Sequence, residues 1–559
     1  MEISFNDYVE KLEGIYGNNL GIEDCLAHII LSEYGKEIVE IEKIEISEIN
    51  QIIQKECIKD FSFKISEINE LKEILISEAG ESNNKIAEYK ITESAVNSEG
   101  IRIYEISGEG SLKIEAQAGE KIILKFQKES FVKKIESIEF LNKVEEVVIE
   151  VDGNLYLGGE IHNAKNIKFA GTKSSIGIND LNVEGKVEIV GLSAYFYNNI
   201  RCSEFNLKEG EITKTFEKSN ILTKGSVNIE SQKIYKKGKV YSEGYISLKG
   251  KDVILGKESV ISSSLWSKIE GSERLDILGF IFGKESIELY GKEIGLKGLL
   301  YSLKKLKLVG SIDIKSQGVD LTSYTGKIDM DKEIKEKLSQ VNNLSMVALE
   351  GIDCEGNFKI NGSEIIIGGL GSIIGHVSSE IFIINSKIQS LYDLSFIGKI
   401  LKLENNSEIN SEGSIDLKIK KIDISKSVMH GKAGIHINKS ADAKEGYILI
   451  GEESELESQE GIVKVCSYGK IEVKGAKLRG KSQVNIEGLS VEFKNSYIEG
   501  RNVGANVGGK EIYVSSDGVL SVSGAKFSFE QKGNFICQDK MHFTDEAIII
   551  GAGNSHFQP

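Results

Sequence analysis

The chain has 559 residues, a formal net charge of −16, 58 glycines and a single proline, Pro559. The acidic balance excludes a sequence built for nucleic acid or anionic membrane surfaces, both of which need clustered Lys or Arg. No run of 18 apolar residues occurs, which excludes membrane insertion as a helix, and proline at this scarcity fits continuously paired strands, because its missing N–H breaks a ladder.

Residues 1–98 carry no repeat and read as a small α/β module that caps the chain or docks a partner. Phe5–Tyr16 and Ile22–Tyr34 are predicted helices, the second ending at Gly35. Ser66–Ala79 is a third, with Ile68, Leu71, Ile74 and Leu75 on one face. Residues 37–46 and 61–65 alternate like strands. The first residues, Met1-Glu-Ile-Ser-Phe-Asn-Asp7, lack the basic and apolar regions of a signal peptide, so the expected location is the cytoplasm. A missing leader or a dedicated exporter would move it to the cell surface or the medium.

From residue 99 onward the pattern is β. Apolar-x-apolar triplets begin at Val147, Ile167, Val187, Phe205, Val227 and Ile246, with gaps of 20, 20, 18, 22 and 19 residues. Phe131–Val144 reads as a helical insertion or an irregular coil. The rhythm is noisier over Ser263–Leu303, and Asp331–Val341 is a predicted inserted helix, so the segment near 263–345 is read as irregular or inserted.

The rhythm returns at Phe358 and runs to the end. Ile422–Gly431, Ile471–Gly480 and Val491–Gly500 are copies of one ten-residue phrase: apolar, acid, apolar, two polar or small residues, Ser or Ala, any residue, apolar, any residue, Gly. Triplets begin at Phe358, Ile381, Leu401, Ile422, Ile448, Ile471, Val491 and Leu520, with a last apolar run at Ile548. A small-x-apolar element follows each, from Ser363/Ile365 through Ser496/Ile498 and Ala525/Phe527 to Ser555/Phe557. A further short strand such as Val484–Ile486 lies between triplets.

Strands this short bury their apolar faces only by stacking on copies of themselves, and a fixed period is the mark of that arrangement. The fold predicted is mainly β: a right-handed parallel β-helix solenoid over 99–559, about 20–21 residues and three strands per coil. Some 18 to 20 coils at the strand spacing give a rod roughly 90 Å long.

Two stretches, Ser414–Gly431 and Gln483–Gly500, resemble the repeats of filamentous haemagglutinins and related secreted exoproteins. The resemblance covers 358–530 well and 100–260 loosely. It implies a bacterial β-helical adhesin shaft. Cytoplasmic polymer-forming bactofilins are a second comparison, with shorter coils.

Chemistry is sparse. The seven histidines form no HxxxH or HExxH array, and there is no GxSxG elbow or Walker loop. The six cysteines are scattered and read as core thiols. Asp329-Met-Asp331 reads as a helix cap rather than a metal site. Glu188, Asp423, Glu472 and Glu492 hold equivalent outward positions and read as a solvated ladder rather than a catalytic pair. No catalytic residue, metal ligand or cofactor is predicted.

The binding candidates are aromatic: Tyr195 and Tyr197, on the face opposite Phe196, and Trp266, the only tryptophan. An outward ring stacks on a sugar or a partner; an inward one packs a neighbouring coil. The function expected is a non-enzymatic structural or interaction protein, with a protein partner or a glycan. A secreted adhesin is the alternative, and a carbohydrate-active enzyme or phage-tail depolymerase the second. Self-association through the uncapped C-terminal coil is a further expectation.

Overall fold

A computed structural model describes residues 90–97, 101–107, 110–126, 133–315, 344–368, 372–437, 446–500, 511–516, 519–523, 526–529, 532–537, 540–544, 548–551 and 554–558. The expected α/β module, 1–98, falls outside these residues except for 90–97, and the expected helix at 331–341 falls wholly outside. All described elements are strands, and they build a parallel β-solenoid of about 17 turns. The chain divides into two compact units, 1–259 and 260–559.

In the first unit Lys90–Val96 pairs antiparallel with Arg102–Ser107, and every later pairing is parallel. The triplets predicted from the sequence form one column. Val147 pairs with Ile167, then Val187, Phe205, Val227 and Ile246, one residue per coil. Each is at most 1% exposed. Residues 131–144, read above as helical or irregular, lie largely in the long strand Lys133–Val151. Its buried residues Ile135, Ile138, Phe140 and Val144 are spaced three, two and four apart. Register shifts between Ile135 and Ser137 and between Glu139 and Val144 supply the irregular intervals that imitate a helix.

The second unit repeats the design. In the coil around Ile462–Lys474 and Lys477–Gly480, the residues Val463, Val465, Ile471, Val473 and Leu478 are fully buried. Three inward segments per coil were expected, and three occur. Two of them, however, share one bent strand, as Val484–Ile486 and Val491–Phe493 do in Gln483–Lys494. The third is the four-residue strand that follows.

The bend is made by glycine. Gly271 pairs with Gly291, and Gly310 and Gly356 continue the column. A Cβ on Gly310 would lie 1.8 Å from the Gly291 carbonyl oxygen, and one on Gly356 2.1 Å from that of Gly310. Coils approach here at backbone distance, and only glycine allows it.

The corner before each short strand has its own rule. Gly362, Asn385, Asn406, Lys426, Glu453, Gly475 and Asn495 all have positive φ, between 46° and 64°. Each immediately precedes the small residue of the repeat phrase: Ser363, Ser386, Ser407, Ser427, Ser454, Ala476 or Ser496. These residues are buried; the hydroxyls of Ser363, Ser386 and Ser427 donate to carbonyls two residues back, and those of Ser407, Ser454 and Ser496 also reach backbone carbonyls one coil away. Ser407 Oγ lies 3.0 Å from Ile383 O, Ser454 Oγ 3.1 Å from Ile424 O and Ser496 Oγ 2.8 Å from Val473 O. Serine is therefore selected because the corner carries a carbonyl that needs a donor.

Two stretches differ from expectation. Residues 263–303, where the rhythm looked noisy, hold regular parallel coils, with Ile269, Leu289 and Leu308 in one buried column. The short strands there, Phe280–Gly283 and Leu299–Ser302, are buried throughout and begin with consecutive apolar residues, which hides the alternation. At the end of the chain, the triplet after Leu520 is Met541-His-Phe543, with Leu520 paired to Met541. Ile548–Gly551 is the short strand, pairing with Lys526–Phe529, and Phe557 pairs with Phe535 in the long-strand sheet. The 28-residue gap read between Leu520 and Ile548 thus joined two different elements of successive coils.

Candidate functional site

Tyr195 and Tyr197 are 5% and 8% exposed. Tyr197 stacks on Phe216 at 4.6 Å between ring centroids and meets Tyr156 edge-on at 5.8 Å. These rings pack against neighbouring coils, while Phe196 points into the core against Phe205. Trp266 lies elsewhere, in the second unit, at the start of the strand Trp266–Ile277, and is partly exposed.

The outward carboxylates are met by lysines. Glu472 and Glu492 are register partners, and Lys470 bridges them, with its Nζ 3.0 Å from Glu492. Lys470 and Lys474 both pair with Glu472. Burial raises the Glu472 pKa, but hydrogen bonds from the two lysines outweigh it and leave the carboxyl below its usual range. Asp423 is separated from Glu472 by Leu449. Glu188 sits near Lys168 and Lys208, at 3.6 and 3.8 Å. An ionised, lysine-bound carboxylate is poorly suited to donate a proton at neutral pH.

Four cysteines, Cys202, Cys354, Cys466 and Cys537, are buried and in no disulfide among the described residues. Burial pushes the Cys202 thiol up to about 12, so the nucleophilic thiolate is disfavoured. Among the described residues, no group of three or more His, Cys, Asp or Glu is placed to hold a metal ion. No helix among them is long and apolar enough to cross a membrane.

A concave site does occur on the outer face of the second unit. A hollow of about 430 Å³ opens over Gly351, walled by Glu288, Lys305, Lys307, Glu350, Asp353 and Ile373. Coil pairing builds it. Glu288 pairs with Lys307, Lys307 with Asp353, and Asp353 with Ile373. Lys268 precedes Glu288 in the same column. Beside it runs a second outward column of Trp266, Ser286, Lys305 and Gly351. The hollow opens where this column ends at Gly351, which has no side chain, beside the longer side chains of Lys305, Lys307 and Asp353.

One tyrosine organises the charges. Tyr290 donates a 3.0 Å hydrogen bond to Glu288 Oε2. Lys268 Nζ lies 4.8 Å from its ring centroid and Lys307 Nζ 6.0 Å. Burial, then the Glu288 carboxylate, pushes the Tyr290 phenol up to about 12, so it stays a donor. Sequence reading missed this hollow. Its signal was Gly351 in a column of larger residues, and that column is visible only once the register across 315–343 is known.

No family model, curated protein or solved structure matches this chain.

Proposed function

We propose that this chain is a non-enzymatic structural or interaction protein, a β-solenoid that presents its repeated outer face to a protein partner. The parallel solenoid of about 17 turns carries this reading. Stacked coils display side chains at a fixed interval, which suits a surface that is bound rather than one that performs chemistry. Cross-coil ion pairs support it: Lys304–Glu285 at 2.8 Å, Lys432–Glu412 at 3.1 Å and Arg479–Glu455 at 2.8 Å hold outward charges in fixed places. Exposed pairs such as these add little to stability, so their larger effect is on the pattern displayed. The test is to incubate the full chain with a panel of polysaccharides and, separately, to immobilise it for partner capture. The reading expects no new reducing ends and one partner retained and competed away by free chain. Release of oligosaccharides would overturn it in favour of a carbohydrate-active enzyme.

A further inference from the structure

We propose that the hollow over Gly351 binds a neutral, polyhydroxylated ligand, a short stretch of uncharged oligosaccharide, with Trp266 at its margin. The proposal goes beyond the scaffold reading and does not depend on it; an empty hollow would leave that reading standing.

The first argument is shape. Gly351 has φ of 144°, and a Cβ there would lie 3.3 Å from Ser372 Oγ. The residue is held where a side chain fits poorly, and its absence opens a volume within the range of small-ligand sites.

The second argument is charge. Lys268, Glu288, Lys307 and Asp353 alternate in sign along one column, at steps of about 4.8 Å. A polyanion or a polycation laid along it would meet its own sign at every second coil, and an apolar ligand would strip water from all four charges. A neutral ligand with hydroxyls that both donate and accept satisfies both signs in turn.

The third argument is availability. In other coils, outward charges such as Lys432 with Glu412 and Arg479 with Glu455 are closed into cross-coil ion pairs. Among the described residues, Lys305, Lys307 and Asp353 make no ion pair. Lys307 is held near the Tyr290 ring, and the Tyr290 hydroxyl engages one oxygen of Glu288, which fixes the carboxylate in place. Trp266 pairs with Ser286, a lining residue of the hollow, and shares the outward face. A partly exposed indole beside charged hydrogen-bonding groups supplies a flat apolar surface for the C–H face of a sugar ring.

The experiment uses the intact chain and the emission of Trp266, its only tryptophan. Malto-, cello-, laminari- and chito-hexaose are titrated separately, alongside heparin and an extended neutral peptide. At least one hexaose is expected to give a saturable change in emission. Asp353→Asn and Lys307→Met are each expected to weaken it about tenfold or more, the weight of a hydrogen bond to a charged group. Lys432→Met, which removes an ion-paired lysine from another coil, should leave the affinity unchanged. Circular dichroism and melting of each variant separate lost binding from lost fold. The proposal fails if no hexaose changes the emission at millimolar concentration, if the change survives both variants in folded protein, or if heparin or the peptide binds more tightly than every hexaose.

Discussion

The Nζ of Lys236 lies 3.2 Å from Oγ1 of Thr215, its neighbour on the preceding coil, and both side chains are 1% exposed. They belong to a column of otherwise apolar residues, Phe196 before Thr215 and Leu255 after Lys236. Burial pushes the Lys236 pKa down from 10.5 to about 7. The unfolded chain therefore takes up a proton between these values that the folded chain does not. The contribution of Lys236 to stability is most favourable above pH 10.5, falls as the pH drops toward 7, and is constant below. Lys236→Met is expected to raise stability at pH 7 by an amount on the order of 4 kcal/mol and to flatten the pH dependence between 7 and 10. Urea midpoints of both proteins at the two pH values check this.

The corner residues Lys426 and Glu453 hold φ of 49° and 57°, at positions where other coils place Asn or Gly. A left-handed backbone costs an ordinary residue about 1–2 kcal/mol, and Asn or Gly less. Lys426→Asn and Glu453→Asn are each expected to stabilise by about 1 kcal/mol, and Asn495→Val to destabilise by at least as much. Thermal melts of the three variants decide the sign.

Gly310 allows no side chain, since a Cβ would lie 1.8 Å from backbone. Gly310→Ala is expected to cost more than about 3 kcal/mol, because the backbone of an adjacent coil must move. Gly119 also has positive φ but open space around it. Gly119→Ala should cost only about 1 kcal/mol. Comparing the two by denaturant unfolding separates coil contact from backbone strain.

Glu472 pairs with both Lys470 and Lys474. Its folded pKa is lowered, so its contribution is present above the ordinary carboxylate value and disappears as the pH falls through the folded value. Glu472→Gln is expected to cost on the order of 1 kcal/mol at pH 7 and nothing at low pH. Equal losses at both would show that the side chain acts through packing.

The coil was legible because its rule is local. Ile471 and Val473 alternate, Ala476 or Ser496 marks the corner, and stacking forces the register once the period is known. Where insertions lengthen a coil, local reading failed: the gap after Leu520 hid the switch from one sheet to the other. The bend was hidden as well, because nothing within one coil shows that Gly310 lies against the Gly291 carbonyl of the coil before it. The hollow over Gly351 was hidden for the same reason. Its walls, Glu288, Lys307 and Asp353, come from three coils, and nothing within any one coil brings them together. The buried Tyr195 and Tyr197 show the converse: aromatic composition suggests a surface, and stacking on Phe216 decides against it.

The most direct test places pairs of nitroxide labels in the short-strand sheet of the second unit and measures their separations by pulsed electron paramagnetic resonance. Lys387 pairs with Glu408, then Val428, Glu455, Lys477 and Tyr497. With one label at 387 and the other at 455, 477 or 497, the separations should be about 14, 19 and 24 Å, one strand spacing per coil. A linear rise confirms in-register stacking and the regular outer face on which the functional reading rests. Separations that fail to rise in these steps would contradict both.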